Sequence, residues 1–340
     1  MMNMNKNVEK RPIKIGQNII MLVALVVLVG VFTALNPNFV DKYNIVSMAQ
    51  SLAPYAVMSL GVTFVIATGG IDLSIGTVCI AAAVVSGKAF TSGLIPLWAT
   101  IPMMIAIGTL FGLINGILIA KFKLPAFIAT LGTMMFSRGL SALIVADPNI
   151  FFPTGTWYNK VFSNFNGIPT GIFWVVGFTL ICMYIMYKNR TGRYILSIGS
   201  NEEATRLSGI NTDKYKMYAY IFAGMASGIA AIFWSASFTT VAAATGNGME
   251  LDAIAGVYIG GTSAAGGVAS VTGSTIGAAL LVVIRSGLNF VLAKFNLNLN
   301  STYVTYVLTG IIVVVAVMMD VIKTKRQNKI KVNKAEKAKK

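Results

Sequence analysis

The chain contains no histidine and very little charge. Charged residues make up 11% of its 340 residues, whereas about 25% is usual for a soluble domain. Without histidine, the commonest general base and metal ligand is missing and a Ser-His type of triad is excluded. The sequence also lacks the G-x-x-x-x-G-K-[ST] motif that would bind a nucleotide through a P-loop.

Cysteine and acidic residues are also scarce. The two cysteines, Cys79 and Cys182, lie in apolar stretches, and their spacing indicates neither a disulfide framework nor a metal site. There are 11 acidic residues against 27 basic ones, for a net charge of +16. The basic residues cluster at the two ends and in short loops, a distribution typical of membrane orientation and not of nucleic-acid binding. We interpret residues 321–340 as a basic cytoplasmic tail beside anionic lipid.

Apolar residues are abundant. They make up 56% of the chain, and the mean hydropathy is +0.74, which indicates an integral membrane protein. The sequence predicts an all-α polytopic fold of about ten membrane helices, the first of them an uncleaved N-terminal helix. The apolar segments lie at about 19–35, 49–67, 74–90, 97–120, 126–146, 170–187, 215–236, 252–265, 270–293 and 302–320.

The loop charges predict an orientation. If ten segments alternate from a cytoplasmic N-terminus, one side of the membrane receives most of the basic residues. They are the N-terminal cluster, Lys121, Lys123, Lys188, Arg190, Arg193, Arg206, Lys214, Lys216 and the tail. We therefore expect both termini in the cytoplasm. The predicted parts are a cytoplasmic segment 1–16, a membrane domain 17–320 with a cytoplasmic loop at about 188–215, and the tail 321–340.

The longest loop on the opposite side, at about 147–169, is rich in aromatic and turn residues. Two interpretations stay open. It is either an interfacial aromatic belt or a docking surface for an external partner.

Two stretches combine glycine, an acid and hydroxyl residues at membrane depth: "ATGGIDLSIGTV" from Ala67 and "LDAIAGVYIGGTSAAGG" from Leu251. Paired glycines weaken a helix, and corresponding broken helices in two halves are typical of inverted-repeat transporters. We predict that they line a pathway or gate between segments two to five and seven to ten. The candidate residues are Gly69, Gly70, Asp72, Ser74, Asp252, Gly260, Gly261, Thr262 and Ser263.

A plainer interpretation is that Asp72 and Asp252 only cap helices near the interface. Apart from them, the ionisable residues at this depth are few: Glu250, Arg138 and Arg285. A proton relay usually needs several such groups, so coupling to a proton or sodium gradient is disfavoured.

A compact polar helix interrupts the apolar pattern at "GSNEEATRLSGI", Gly199 to Ile210. Ser200 and Glu203 have the spacing of a capping box, and Gly209 is placed to end the helix. Such a short helix is not stable alone in water. It therefore packs either on its own membrane domain or on a soluble partner.

Four blocks together resemble the permeases of monosaccharide ABC importers, the ribose and galactoside permease family. They are "GGIDLSIGTV", "LPAFIATLGTMMFSRGLSALI", "GRYILSIGSNEEATRLSGIN" and "MELDAIAGVYIGGTSAAGGVASVTGSTIGA". The resemblance extends from about residue 17 to 320. The basic tail is longer than is typical of the family.

The resemblance implies a type II ABC importer permease fold in the bacterial inner membrane, working as a homodimer embedded in lipid. It implies two further partners, an ATP-binding subunit with two fused ATPase domains and an extracytoplasmic sugar-binding protein. This chain would bind no cofactor, because ATP and magnesium would be held by the ATPase. The polar helix would couple to the ATPase through Asn201, Glu202, Glu203, Ala204, Thr205, Arg206, Leu207, Ser208 and Gly209.

The resemblance predicts import of a monosaccharide of the ribose or galactose class. Relatives that carry nucleosides, autoinducer-2 or branched-chain amino acids keep those solutes open as alternatives. A stand-alone secondary transporter and an intramembrane enzyme are the competing classes, and the missing histidine disfavours the enzyme.

Overall fold

The computed structural model describes residues 17–144, 149–295, 303–315, 317–318 and 322. The predicted segment 1–16 and, apart from residue 322, the predicted tail lie outside the described residues.

The fold is helical almost throughout. In chain order the helices are α1 (Gln17–Leu35), α2 (Lys42–Ala67), α3 (Ile75–Thr91), α4 (Thr100–Ala120), α5 (Ala126–Ile144), α6 (Trp157–Phe162), α7 (Gly171–Met183), α8 (Arg190–Ser200), α9 (Glu202–Leu207), α10 (Thr212–Phe238), α11 (Met249–Ile259), α12 (Val271–Lys294) and α13 (Tyr303–Val315). Short 3₁₀ turns lie at Pro37–Val40, Leu97–Ala99 and Ala243–Gly246, and a π-helical turn at Tyr184–Lys188 continues α7.

Among the described residues, seven helical segments are long and apolar enough to cross a membrane. They contain α1, α2, α4, α5, α7, α10 and α12. The shorter α3 and α13 are also apolar, and α11 follows a 3₁₀ turn. Each of the ten predicted apolar segments thus corresponds to one helix, and the prediction of an all-α polytopic fold is confirmed.

Glycines bring the central helices into backbone contact. On α4, Gly108 and Gly112 face Gly224 and Gly228 of α10. A β-carbon added to Gly108 would lie 2.3 Å from the carbonyl oxygen of Gly224. Such close approach is the usual way for helices to associate in lipid, where no hydrophobic effect drives them together.

The helix contacts follow an inverted-repeat pattern. Helices α2 to α5 form one set and α10 to α13 the other. If α10 is the counterpart of α2, the packing of α2 on α12 matches that of α10 on α4. If α11 is likewise the counterpart of α3, the packing of α3 on α10 matches that of α11 on α2. A two-fold axis in the membrane plane that exchanges the two sets produces this pattern.

The end of the bundle that carries α6 is closed by a folded segment. Strand β1 (Asn149–Phe151) pairs antiparallel with β2 (Thr240–Ala242), with Ile150 opposite Val241. Tyr158 of α6 is fully buried, and its hydroxyl lies 2.8 Å from Ser235 Oγ of α10. We call this the α6 end and the opposite end the α9 end. The aromatic loop is therefore partly built into the core, while Phe151 and Trp157 stay exposed.

Candidate functional site

The two glycine-rich breaks meet each other at the α9 end. The first, residues 68–74, separates α2 from α3, and the second, residues 260–270, separates α11 from α12. The N–H of Gly267 donates to the carbonyl oxygen of Ala67 (3.0 Å), and a β-carbon on Gly266 would lie 2.8 Å from the nitrogen of Gly69. The structure thus brings Gly69 and Gly70 into one region with Gly260, Gly261, Thr262 and Ser263.

The contact between the two breaks shows that one part of the inverted-repeat prediction is wrong. Counterparts in an inverted repeat lie at opposite ends of the bundle, whereas the two glycine pairs lie at the same end. The first break follows the first helix of its set, and the second break follows the second helix of its set. The glycine pairs are therefore not repeat counterparts, although the helix contacts follow the repeat.

Asp72 does not cap α3 in the way that the plainer interpretation expected. Its Oδ1 accepts hydrogen bonds from the backbone N–H (2.8 Å) and the hydroxyl (2.6 Å) of Ser74, and both side chains are buried. The amide of Asn115 donates to Ser74 Oγ (2.9 Å), and Thr133 donates to Asn115 Oδ1 (2.6 Å). This buried polar chain ties the first break to α4 and α5.

The second break is held in place by hydrogen bonds within the loop and to residues of two other segments of the chain. The hydroxyl of Tyr187 accepts from the N–H of Val271 (3.0 Å) and donates to the carbonyl of Ala269 (3.0 Å). Thr262 Oγ1 accepts from the N–H of Ser270 (3.0 Å), and Asn18 at the start of α1 accepts from the Ser270 hydroxyl (3.2 Å). The loop is therefore restrained by α1 and the π-helical turn after α7.

The polar helix forms, but its cap differs from the prediction. Ser200 is the last residue of α8, and its hydroxyl donates to Leu196. The N-cap of α9 is Asn201, whose Oδ1 accepts from the N–H of Ala204 (2.9 Å). The predicted Ser200–Glu203 capping box is therefore wrong, because the start of the helix is shifted by one residue and asparagine serves as the cap.

The predicted end of the polar helix is confirmed. Gly209 has φ +82°, and its N–H donates to Arg206 (3.0 Å) while that of Ile210 donates to Thr205 (3.4 Å). A left-handed glycine with these backward bonds is a common helix end.

Helix α9 presents different faces inward and outward. Thr205 is buried, whereas Glu203, Ala204 and Ser208 are exposed and Leu207 is 84% exposed. The membrane domain thus holds one side of α9, and the other side is open.

The last turn of α8 contacts both breaks. A β-carbon on Gly199 would lie 2.0 Å from the carbonyl oxygen of Ala67 and 2.3 Å from the nitrogen of Gly267. Only glycine fits this position. Gly199 is three residues before α9, so the polar helix lies close in sequence to the point where the two breaks meet.

An ion-pair network holds the start of α9 to α10. Glu202 accepts from Lys216 Nζ (2.5 Å) and from Arg206 (3.2 Å). Partial burial acts to raise the pKa of Glu202, but the hydrogen bond and charge of Lys216, with Arg206, outweigh it and lower that pKa. A second pair joins Lys123 to Asp213 at the same end.

Asp252 lies apart from the other predicted pathway residues. It belongs to the first turn of α11, where Gly248 is the N-cap, and it is ion-paired with Arg285 of α12. Thr309 of α13 donates to its other oxygen (3.3 Å). Asp252 therefore joins α11, α12 and α13 and is not a helix cap.

Asp252 and Arg285 line two adjoining cavities. One, of about 300 Å³, lies between α2, α10, α11 and α12; the other, of about 250 Å³, reaches α13. Both are also lined by Tyr55, Trp234 and Asn289. Because Asn289 is near the end of α12, and α10 ends close to Trp234, the cavities lie toward the α6 end.

Sequence reasoning missed Tyr55, Trp234 and Asn289, and it noted Arg285 only as an ionisable residue. A signal was present in α2, where the polar cavity residues Asn44, Ser47, Ser51 and Tyr55 recur at intervals of three and four. That spacing places them on one face of a helix. Arg285 and Asn289 repeat the interval on α12.

Comparison with known proteins identifies a family for the chain. A family model described as "Branched-chain amino acid transport system / permease component" matches residues 44–317, which extend from α2 to α13 and include both breaks and α9. The chain belongs to this family. No solved structure was found to match.

Curated relatives include several sugar permeases. The chain is 34% identical over 308 residues to a ribose import permease protein of Escherichia coli strain K12, covering 88% of this chain and 92% of the relative. It is 30% identical to the L-arabinose transport system permease protein of the same strain, covering 91% and 92%. It is 34% identical to a fructose import permease protein of Bifidobacterium longum strain NCC 2705, covering 71% and 69%.

Proposed function

We propose that this chain is the membrane-spanning subunit of an ATP-driven importer that moves a monosaccharide of the ribose or galactose class into the cytoplasm. It works as a homodimer with an ATPase subunit of two fused ATPase domains and an extracytoplasmic sugar-binding protein. The observation that carries the proposal is the position of Gly199, which lies three residues before the exposed helix α9 and contacts both breaks.

Docking of the ATPase is supported by the outer face of α9. Leu207 is exposed on a six-residue helix at the end of the bundle, where a soluble partner has access to it. The exposed Glu203, Ala204 and Ser208 surround Leu207 with polar and small groups. This is the arrangement of an apolar anchor with a polar rim, which suits a protein partner.

The charges support the orientation. Lys121, Lys123 and the basic residues of 188–216 lie at the α9 end, which the positive-inside rule assigns to the cytoplasm. Both termini are then cytoplasmic, and the cavities open toward the outside. The exposed apolar face of α1, including Val23 and Val26, contacts lipid.

The chain has no P-loop, so the proposal assigns ATP and magnesium to the ATPase subunit. A gate at Gly69, Gly70, Gly260 and Gly261 follows from the contact between the two breaks. When the ATPase displaces α9, Gly199 shifts and the contact between residues 67–69 and 266–267 changes.

The solute is a monosaccharide in the names of all three relatives above, but the sugars differ. Transport assays with the complete importer, in cells that lack other sugar uptake systems, test which solute is carried. We expect uptake of one member of a labelled panel of D-ribose, D-galactose, L-arabinose and D-fructose, and none of L-leucine or a nucleoside. Uptake of leucine alone, or of the nucleoside alone, would show that the transported solute is that alternative and not a sugar.

The same cells test the docking face. Leu207→Asp, at the α9 end, is expected to abolish co-purification of the ATPase subunit and sugar uptake. Leu94→Asp is the matched control, because Leu94 is 79% exposed at the α6 end. Equal co-purification with both variants would show that α9 does not dock the ATPase.

A further inference from the structure

The two cavities around Asp252 and Arg285 are lined by an unusual mixture of groups. Their lining residues include one acid and one base, and these two are paired with each other. The remaining lining is aromatic, hydroxyl or amide, together with aliphatic side chains. A solute inside therefore meets many hydrogen-bonding groups but no uncompensated charge.

The pair is held in a fixed position. Arg285 donates to the hydroxyl of Tyr55 (2.7 Å), and its guanidinium carbon lies 5.2 Å from the centre of the Tyr55 ring. Thr309 contacts Asp252 from the other side. A guanidinium carries five N–H donors, and the bonds to Tyr55 and Asp252 leave others for a further acceptor.

One donor in the wall lacks a partner. Trp234 lines both cavities, and its indole Nε1 is buried without a hydrogen-bond partner among the described residues. A buried donor without an acceptor is costly, and such an atom calls for a ligand or a water. The atom has almost no accessible surface in this structure, so a solute oxygen in the cavity reaches it only after the indole ring rotates.

The same wall has an aromatic surface. The Trp234 ring lies 4.3 Å from that of Phe238 and 6.3 Å, edge to face, from that of Tyr55. Apolar ring faces beside converging polar groups are usual in small-molecule sites. A neutral sugar matches both parts, since its C–H face is apolar and its hydroxyls both donate and accept.

We infer that these cavities form a binding site for a neutral monosaccharide within the permease itself, in which Trp234 and the Asp252–Arg285 pair hold the hydroxyls. The inference rests on the proposed function, because it makes the site a station on the import pathway. The volumes of about 300 and 250 Å³ lie at and just below the lower limit for ligand pockets, which fits a solute as small as one sugar. The paired charges predict that sugar phosphates and amino acids bind less well.

Binding to the full-length chain in lipid nanodiscs, without ATPase or binding protein, tests the site. The probes are labelled D-ribose, D-galactose, L-arabinose and D-fructose, with D-ribose 5-phosphate and L-leucine as charged competitors. We expect saturable binding of at least one neutral sugar and no competition by either charged solute. Absence of saturable binding up to the solubility limit of every sugar would overturn the inference, as would effective competition by the phosphate or by leucine.

Two variants locate the site. Trp234→Phe keeps an aromatic ring but removes the indole N–H, and Asn289→Leu removes a polar group shared by both cavities. Each is expected to weaken binding about fivefold to tenfold, the usual effect of one lost hydrogen bond. Trp98→Phe is the control, because Trp98 is 64% exposed in the turn before α4.

Monodisperse elution of each variant in detergent establishes that it is folded. Unchanged affinity in both cavity variants would overturn the inference, as would an equal loss in Trp98→Phe. Uptake by the complete importer is measured in parallel with all four proteins. Sugar uptake by the importer with no binding to the permease would refute this binding site but not the proposed function. Binding with no uptake of any sugar would refute the proposed function while supporting the site.

Discussion

Gly199 and Gly267 are in contact where the last turn of α8 meets the second break: a β-carbon on Gly199 would lie 2.3 Å from the backbone nitrogen of Gly267. That nitrogen also donates to Ala67, at the end of α2. Three segments that are far apart in sequence thus share one tightly packed point. Because α9 follows α8 after one residue, this point lies between the proposed docking helix and the proposed gate.

A side chain at position 199 is expected to separate these segments. Gly199→Val would force the backbones apart, and overpacking of this kind costs about 1–3 kcal/mol. We expect the variant to insert and bind the ATPase but to lose sugar uptake by about tenfold or more. Uptake and ATPase rate, measured in the same proteoliposomes, check this.

Ser197→Val is the matched control, because Ser197 lies on the exposed side of α8. If both valine variants transport equally well, the contact at Gly199 is ordinary packing and does not transmit motion.

The cap of α9 gives a second prediction. Asn201→Ala removes the side chain that accepts from Ala204 and should destabilise α9 by about 1 kcal/mol. Ser200→Ala should have little effect, because the Ser200 hydroxyl bonds only within α8. Hydrogen exchange over residues 202–208 measures the difference. Faster exchange in Ser200→Ala than in Asn201→Ala would place the cap at Ser200 after all.

Removal of both charges of the Asp252–Arg285 pair should be tolerated better than removal of one. Asp252→Asn leaves the half-buried Arg285 unpaired, and Arg285→Gln leaves the buried Asp252 unpaired, so either variant alone should reduce the amount of folded protein in the membrane. The double variant Asp252→Asn/Arg285→Gln removes both charges and should restore that amount. Quantitative fluorescence-detected size exclusion of all three variants checks this, and a double variant no better than either single one would contradict it.

Acid should loosen the start of α9. The pKa of Glu202 is lowered from its ordinary value of 4.5, mainly by Lys216 against the opposing effect of partial burial. A lowered pKa means that the ionised carboxylate stabilises the fold above pH 4.5 and loses that effect as pH falls through the folded-state pKa. We therefore expect exchange over residues 202–208, corrected for its intrinsic pH dependence, to be constant near neutrality and to accelerate only in acid.

Glu202→Gln has no charge to lose and is the control for this titration. Acid acceleration of the same size in Glu202→Gln would assign the effect to another group.

Apolar runs and glycines made much of the fold predictable. The run at 215–236 became α10, Thr212–Phe238, because an apolar stretch in lipid must satisfy its backbone bonds as a helix. Gly209 was predictable as a helix end because glycine readily adopts the left-handed conformation in which helices often end. The cap was missed because Ser200 and Asn201 are both good caps, and only the path of α8 decides between them.

The partners of distant residues were not predictable in the same way. Asp252 and Arg285 are on different helices, and a single sequence carries no signal that pairs them. The contact between Gly69 and Gly266 depends on how four helices pack, so the two breaks were wrongly matched as repeat counterparts. Tyr55 was visible in the polar stripe of α2, but its role became clear only beside Arg285.

The central claim is that this chain moves a sugar with energy supplied through α9. The most direct measurement is accumulation of labelled sugar by proteoliposomes that contain the chain and its ATPase subunit, with the binding protein outside and ATP trapped inside. The account predicts accumulation above the outside concentration that requires ATP and is lost in Leu207→Asp. Uptake by the chain alone, without ATPase, or accumulation driven by an ion gradient would contradict it.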